Sequence, residues 1–351
     1  MYNTLIRFTS KNLRPLRKIQ NSIRGVILFR FSKLIIRMLR PNLILTYDNS
    51  TKPDGVGAQI QRILAIRSMA QNLGLGYLHT GIHSVAVHPL DPYQSQSELV
   101  GFVKNLNHVF YIESTAELNV STLNELEVRS LTFVILFRNI FKSVIQKRTV
   151  LVRCLEPYGV SDHDPNIYLG IRDFLPHFKP ISHDTFTLGI HYRRGVGGFA
   201  VQNGESISRE LNPNYFITIA NRIAAERLPS TTSIQLYTDA PKNDLEFLPP
   251  ADQSELWKNS PRFENGVMSV LGANPEILFD KLLVAPIIVR GGDPLQVIRE
   301  LAGLDVLIMS RSSFSYVGAV LNDRGKIYFP KSFWHSPMIG WKVVNEGGIN
   351  H

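Results

Sequence analysis

LGIHYRRGVGG, residues 188–198, is a short apolar segment that ends in two adjacent arginines and a glycine-rich loop. A guanidinium group binds phosphate oxygens through a planar fork, and glycines let backbone N–H groups approach an anion closely. The stretch therefore predicts a strand followed by a diphosphate site at Arg193, Arg194 and Gly195. An arginine pair on a solvated strand end has the same local sequence, so the surrounding sequence has to separate the two interpretations.

The second half of the chain carries polar side chains after two further predicted strands. Asp239 is either a turn residue or an acceptor for a hydroxyl or a base. Ser312, Ser313, Phe314 and Ser315 precede a helix, where serines either cap the first turn or bind an anion together with backbone N–H groups. The periodicity predicts strands at 186–192, 233–238, 305–309 and 326–329, and helices at 213–227, 295–302 and 315–321.

The first half predicts a parallel strand–helix–strand unit. A strand at 43–47, the loop Gly55-Val-Gly57, a helix at 59–73 and a strand at 77–80 follow in order. Two α/β halves place ligand loops at the carboxyl ends of their strands, with a cleft between the halves. We expect four regions along the chain: a basic arm at 1–40, domains at 41–180 and 181–335, and a C-terminal tail at 336–351.

Several of these motifs together resemble a known enzyme family. His-Tyr-Arg-Arg-Gly, residues 191–195, is similar to the His-x-Arg-Arg-Gly-Asp signature of bacterial α-1,2-fucosyltransferases and their α-1,6- and protein O-fucosyltransferase relatives. Residues 312–322 resemble the family's Ser-Ser-Phe-Ser-Trp-Trp-Gly-Ala-Trp-Leu, and residues 55–59 resemble its Gly-x-Gly-Asn-Gln loop. Shorter likenesses occur at 211–216 and 237–239.

The resemblance implies a GT-B glycosyltransferase, with two Rossmann-like domains facing across a cleft. It implies inverting transfer of fucose from GDP-fucose to a hydroxyl of a glycan acceptor, without a cofactor or a required metal. Arg193 and Arg194 would stabilise the leaving diphosphate, and the glycine loop would face the sugar and the acceptor. The implied nucleotide-sugar-binding residues are His191, Arg193, Arg194, Gly195, Asp239, Ser312, Ser313, Phe314 and Ser315, and the implied loop residues are Gly55, Gly57 and Gln59.

Four positions depart from the family's pattern. Val196 stands where the family has Asp, Ala58 where it has Asn, and Tyr316 and Val317 where it has two tryptophans. These changes keep the diphosphate motif but remove one family carboxylate. The sugar and the acceptor linkage therefore stay open.

An acceptor hydroxyl can require a general base. Asp54, just ahead of the glycine loop, is the first candidate, Glu205 in the polar loop after the arginines is the second, and His191 is the third. Each also has a structural interpretation: Asp54 as a turn residue, Glu205 as a solvated loop charge, and His191 as a positioning or core histidine.

The formal net charge of +9 comes from the N-terminus. Residues 1–40 hold ten Lys and Arg, the first acid is Asp48, and the remaining 311 residues carry 28 basic and 29 acidic side chains. A generally basic surface that binds nucleic acid is therefore excluded outside residues 1–40. The single cysteine, Cys154, excludes an internal disulfide and a cysteine-based zinc site.

Spacing within the arm predicts an amphipathic helix. Arg30, Lys33, Arg37 and Arg40 share one face, and charge interrupts the apolar run too often for it to span a bilayer. Such a helix suits an anionic membrane surface; a helix packed on the body and a cleaved transit peptide are the alternatives. We expect a cytoplasmic protein, peripheral on the inner face of a membrane. The apolar residues of the helix are Val26, Ile27, Phe31, Leu34, Ile35 and Met38.

Three other functions account for part of these patterns. One is a glycosyltransferase that uses another nucleotide sugar, and another is a non-catalytic relative that binds a nucleotide or a glycan. The third, which explains less of the sequence, is a nucleic-acid-binding protein that acts through residues 1–40. The main hypothesis needs a nucleotide-sugar donor and a glycan acceptor, and no nucleic acid.

Overall fold

The computed structural model describes two compact α/β units. The first unit contains the described residues of 1–51, 62–81 and 112–170, and the second unit contains those of 52–61, 82–111 and 171–351. The predicted domain limits stay a prediction, since these units are defined by contacts and interleave along the chain. The described residues are 24–49, 54–86, 92–93, 95–116, 123–194, 199–202, 205–208, 210–227, 231–247, 263–264, 267–270, 272 and 274–346.

The first unit is built on a four-stranded parallel sheet. Its strands are β1 (Leu43–Tyr47), β2 (Gly76–Leu78), β3 (Leu123–Ser130) and β4 (Thr149–Glu156), in the order β2-β1-β4-β3. The two central strands are almost wholly buried, which accounts for their continuous apolar sequences. Helix α2 (Val56–Leu73), whose first six residues belong to the second unit, connects β1 to β2. The predicted parallel strand–helix–strand order is therefore confirmed.

Two further helices of the first unit are α1 (residues 24–39) and α4 (Phe133–Gln146). Helix α1 buries Phe29, Ser32 and Ile36. A Cβ on Gly25 would lie 2.0 Å from the His163 ring, and that ring also lies 5.6 Å from the Phe133 ring at the start of α4. Residues 24–39 of the predicted arm are thus a helix packed within the unit, whereas residues 1–23 lie outside the described part. No helix in the described part has the length and apolar character needed to cross a bilayer.

The second unit is built on a six-stranded parallel sheet in the order β12-β8-β5-β13-β14-β15. These strands are β5 (Phe186–Tyr192), β8 (Thr232–Thr238), β12 (Ile287–Arg290), β13 (Val306–Ile308), β14 (Lys326–Pro330) and β15 (Lys342–Val344). The helices are α3 (Gln96–Val109), α6 (Pro213–Glu226), α8 (Pro294–Leu301) and α9 (Ser313–Val320). All four predicted strands and all three predicted helices of this half are present, so a mixed α/β fold with two parallel sheets is confirmed.

Shorter elements complete the described chain. The first unit also has a single helical turn, α5 (Tyr158–Ser161), and the second has α7 (Pro275–Leu278). In the second unit β6 (Phe199–Gln202) and β7 (Glu205–Ser208) form an antiparallel pair. Strands β9 (Leu245–Phe247), β10 (Phe263–Glu264) and β11 (Val267–Val270) form a small antiparallel sheet.

Packing below β5 determines where the two arginines leave the sheet. The Tyr192 ring meets the Phe216 and Phe279 rings edge to face, with centroids 5.6 Å and 5.0 Å away. Edge-to-face pairs of this kind stabilise a core beyond the area they bury. Phe216 comes from α6, which Asn212 caps by accepting the Asn214 N–H as its sequence predicts. Residue 193 therefore emerges from a rigid strand end.

Candidate functional site

The three predicted strand-end loops lie side by side in the second unit. Tyr192 pairs with Thr238 across β5 and β8, and Ile190 pairs with Ile308 across β5 and β13. Parallel strands in such register end at one edge of the sheet, where ligand loops of α/β proteins are found. The edge formed by the carboxyl ends of β5, β8 and β13 is called the arginine edge below.

Asp239 connects the two adjacent arginines. Its Oδ2 lies 3.1 Å from Nε of Arg193, and its Oδ1 accepts a 2.9 Å hydrogen bond from the backbone N–H of Arg194. The Arg193 and Asp239 side chains are only 13% and 18% exposed, so this ion pair is largely shielded from water. Asp239 thereby holds the Arg193 side chain and the Arg194 backbone in position. Its predicted contact with a hydroxyl or base stays a prediction.

Two residues outside the predicted set complete the arginine edge. The Arg194 Nη1 lies 3.6 Å from Oε2 of Glu210, and the Arg311 guanidinium donates to the backbone carbonyl of Glu210. Burial lowers the pKa of Arg311, while Glu346 and Glu210 oppose the shift. The position of Arg311 at the end of a predicted strand, beside the serines, could have identified it. No pattern in the sequence singles out Glu210.

His191 is buried beneath this edge. Its Nδ1 lies 2.7 Å from the Ser310 Oγ, and its ring stacks on the Phe314 ring with centroids 5.6 Å apart. Burial first, then the Arg193 charge, lowers the pKa of His191 to about 3, although Asp239 opposes the shift. A neutral, enclosed imidazole of this kind fits the positioning or core interpretation of His191.

The serine segment forms the start of α9. The Ser312 Oγ accepts a 3.2 Å hydrogen bond from the Phe314 N–H, while the buried Ser315 Oγ donates to the carbonyls of Ser312 and Ser310 at 3.1 and 3.3 Å. Both hydroxyls therefore stabilise the helix start, as the capping interpretation requires. Ser313 and Phe314 are partly exposed. Anion binding by the first turn of α9 stays a prediction.

The predicted glycine loop meets the serine segment within the second unit. A Cβ built on Gly57 would lie 2.4 Å from the Phe314 Cα and 2.6 Å from its backbone N, whereas one on Gly55 would have no atom within 4 Å. Only glycine permits this approach at position 57. Because Gly57 lies in the first turn of α2 and Phe314 in the first turn of α9, the positive ends of two helix dipoles come together.

Gln59 and Asp54 hold the glycine loop. The buried Gln59 amide donates to the backbone carbonyls of Asp54 and Ser84 at 2.8 and 2.7 Å. The Asp54 Oδ1 accepts from the Gly55 N–H at 2.7 Å, and the Asp54 carbonyl accepts from the Ala86 N–H at 3.0 Å. These contacts give Gln59 and Asp54 structural roles; their predicted roles toward a sugar or an acceptor stay predictions.

Two predicted site residues cannot be placed in full. Gly195 lies outside the described residues, and Glu205 belongs to β7, of which the backbone alone is described. Within the described part of the chain, His, Cys, Asp and Glu side chains form no group of three or more that could hold a metal. Cys154 is buried, and burial raises the pKa of its thiol to about 12, so it is an unreactive core residue.

Comparisons with known proteins give a weak structural likeness. No protein-family profile matches the chain, and no curated protein matches it. Among solved structures, it is similar to a glycosyl transferase family 9 protein from Veillonella parvula, with 10% identity and a TM-score of 0.34 over 86% of this chain and 84% of that one. A likeness with a TM-score this low does not indicate a function.

Proposed function

We propose that the chain is a glycosyltransferase whose arginine edge binds the diphosphate of a nucleotide sugar. The observation that supports this most is the gathering of Arg193, Arg194 and Arg311 at the sheet edge where α9 begins. Guanidinium groups and helix starts are the groups with which proteins bind phosphate. Asp239 and Glu210 hold these cations in place before a ligand arrives, which is the preorganisation that transition-state stabilisation needs.

The finer proposal is inverting transfer of fucose from GDP-fucose within a GT-B fold, and it rests on the motif resemblance. An acceptor hydroxyl oxygen forms a bond to the anomeric carbon while the bond from that carbon to the β-phosphate oxygen breaks. The electron pair of the broken bond leaves on GDP, and the hydroxyl proton passes to a base. Arg193 and Arg194 would neutralise the charge that grows on the diphosphate, and neither this step nor the proton transfer requires a metal.

The other residues follow from their contacts. Asp239, Gln59 and His191 are positioning residues, since each contacts the elements that carry the proposed binding groups. Asp54 remains the first candidate for the base because it stands at the glycine loop that meets α9, and Glu205 remains the second. Gly55, where a Cβ would have no atom within 4 Å, would leave room for the sugar, whereas the Phe314 backbone takes the space beside Gly57.

Nucleotide binding is the first test. Thermal unfolding of the full chain is measured with GDP, UDP, ADP and CMP, and then with the corresponding sugar nucleotides. We expect selective stabilisation by GDP, because a ligand that binds only the folded state raises its stability by mass action. Arg193→Gln should abolish this shift, whereas Arg222→Gln, an exposed position on α6, should keep it. The proposal fails if no nucleotide stabilises the protein.

Turnover separates an enzyme from a non-catalytic binding protein. Release of GDP from GDP-fucose is followed with a panel of glycan acceptors, comparing the parent chain with Asp54→Asn and Glu205→Gln. A base variant should lower kcat and leave the Kd for GDP unchanged. GDP binding without turnover on any acceptor would favour a non-catalytic relative, and stabilisation by a different nucleotide would redirect the search to that donor.

A further inference from the structure

Helix α1 has two apolar faces, and the first unit covers one of them. Phe29 and Ile36 point into the unit and are buried, together with Ser32. Ile27, Phe31, Leu34 and Met38 recur at helical spacing on another side, and they are between 51% and 65% exposed. Burial within the unit explains the first face. It leaves a four-residue apolar stripe in contact with solvent.

Helix α4 adds a second exposed stripe beside the first. Val134, Phe141 and Ile145 share one face and are between 47% and 77% exposed. The two stripes meet through Phe31 of α1 and Phe137 of α4, whose ring centroids lie 6.1 Å apart in an edge-to-face arrangement. A contiguous exposed apolar patch of this kind marks an interaction site. These seven exposed residues with Phe137 are called the two-helix surface.

Cations border the two-helix surface on both sides. By helical spacing, Arg30 and Arg37 lie on the side of the α1 stripe away from Phe31, and Arg138 and Lys142 lie on the side of the α4 stripe away from Phe137. No acid occurs in residues 1–47 or in residues 128–155, the segments that contain the two helices. The surface thus combines an apolar centre of aliphatic and aromatic side chains with a purely basic border.

We propose that the two-helix surface docks on an anionic lipid bilayer. Aliphatic and aromatic side chains that enter the headgroup boundary, flanked by Lys and Arg that meet anionic headgroups, are the features of interfacial helices. A second copy of this chain is disfavoured as the partner because it would bring the same cations together. Residues 1–23 are disfavoured for the same reason, since they hold five more cations and no acid. A nucleic acid would be bound by the cations but gives no partner to seven exposed apolar side chains.

Vesicle partitioning of the full chain tests this proposal. Sedimentation is compared for vesicles of phosphatidylcholine alone and of phosphatidylcholine mixed with phosphatidylglycerol. Replacing the basic border with Arg30→Gln, Arg37→Gln and Arg138→Gln should lower partitioning into the anionic vesicles by roughly fivefold per charge. Added salt should weaken the parent protein's binding in the same way. Replacing the apolar centre with Ile27→Ser, Leu34→Ser and Ile145→Ser should lower partitioning by roughly several-fold per residue.

Matched variants on the second unit serve as controls. Arg222→Gln and Ile277→Ser replace an exposed arginine and an exposed isoleucine there, and both should partition like the parent chain. Equal binding by all variants, or no binding by the parent chain, overturns the proposal. A dimer that the serine variants dissociate, with vesicle binding unchanged, shows instead a self-association surface. If the serine variants bind DNA as tightly as the parent chain and the protein does not bind vesicles, the surface is instead a nucleic-acid-binding surface.

Full-length variants are required because α1 belongs to the folded first unit. A chain lacking residues 1–40 would lose Phe29 and Ile36 from the core and the close contact of Gly25 with His163. Loss of vesicle binding by such a truncation would report unfolding as well as loss of the surface. The exposed substitutions avoid this, and unchanged thermal unfolding of each variant confirms that they do.

Discussion

Two groups of cations in this molecule are organised in opposite ways. At the arginine edge of the second unit, Arg193 and Arg194 are largely buried, and carboxylates of Asp239 and Glu210 lie against them. On the two-helix surface of the first unit, Arg30, Arg37 and Arg138 are exposed, and the local sequence contains no acid. The arginines of the first group are held in one geometry by their carboxylate partners, whereas the exposed arginines of the second group can change conformation to meet a ligand.

The difference shows what each group is suited to recognise. Desolvating a guanidinium is costly, so a buried arginine needs partners that hold it, and those partners also determine where it points. Such cations suit a small anion of defined shape, for example a diphosphate. Exposed cations on flexible side chains lose little hydration free energy on binding and give little geometric selectivity. They therefore suit a surface of many equivalent charges.

Loss of a cation that is held in position at the arginine edge should have the largest effect on the reaction rate. Arg193→Gln should lower the rate of the proposed sugar transfer by roughly 100- to 1000-fold, since removing one preorganised donor to a developing anion costs ~2.7–4 kcal/mol. Steady-state kinetics with GDP-fucose measures this change. Arg222→Gln, which removes an exposed charge from the same unit, should leave kcat within about twofold because exposed charges are screened. Equal losses in the two variants would show that general charge, and not its placement, supports transfer.

Gly57 and Gly55 offer a comparison within one loop. A Cβ at Gly57 would overlap the Phe314 backbone, so Gly57→Ala should reduce the free energy of unfolding by about 1–3 kcal/mol. Gly55→Ala has open space and should change it by less than about 0.5 kcal/mol. Chemical denaturation of both variants measures the difference. Without the Phe314 contact, alanine in the first turn of α2 would stabilise the protein by up to about 1 kcal/mol. The sign of the change in the free energy of unfolding therefore decides whether Gly57 contacts the Phe314 backbone.

Much of the fold could be predicted because its strands have simple sequences. β1, β5 and β14 are nearly continuous apolar runs, as buried parallel strands require. Edge strands lack this pattern: β3 alternates polar and apolar residues, and β15 lies within the stretch predicted as a tail. β12 begins with the exposed Ile287 and is also absent from the predicted strands. β2 also has only one neighbour, but its place after a helix and two glycines still identifies it. The other strands with one neighbour leave too weak a signal in one sequence.

The candidate site was predictable in its motifs but not in its contacts. Arg193 and the serine segment stood out because arginine pairs and helix-start serines have known chemistry at strand ends. The pairing of Asp239 with Arg193 depends on the register between β5 and β8, which residue types alone do not give. The same holds for Gly57 and Phe314, which lie far apart in the sequence and meet only in the folded unit.

His191 makes the most specific prediction. Its pKa lies at about 3 in the folded protein, against an ordinary value of 6.5, so between these values the unfolded chain binds a proton that the folded chain does not. Its contribution to stability is therefore complete above pH 6.5 and is lost as the pH falls toward 3, by at most about 1.4 kcal/mol per pH unit. Denaturation midpoints measured from pH 7 to pH 4 should show a shallower slope in His191→Asn than in the parent chain. His108→Asn, at an exposed position, is the matched control. Because His191 lies beneath the arginines, a ring that titrates near 6.5 by NMR would mean that the arginine edge is open to water and not held as the ion pairs indicate.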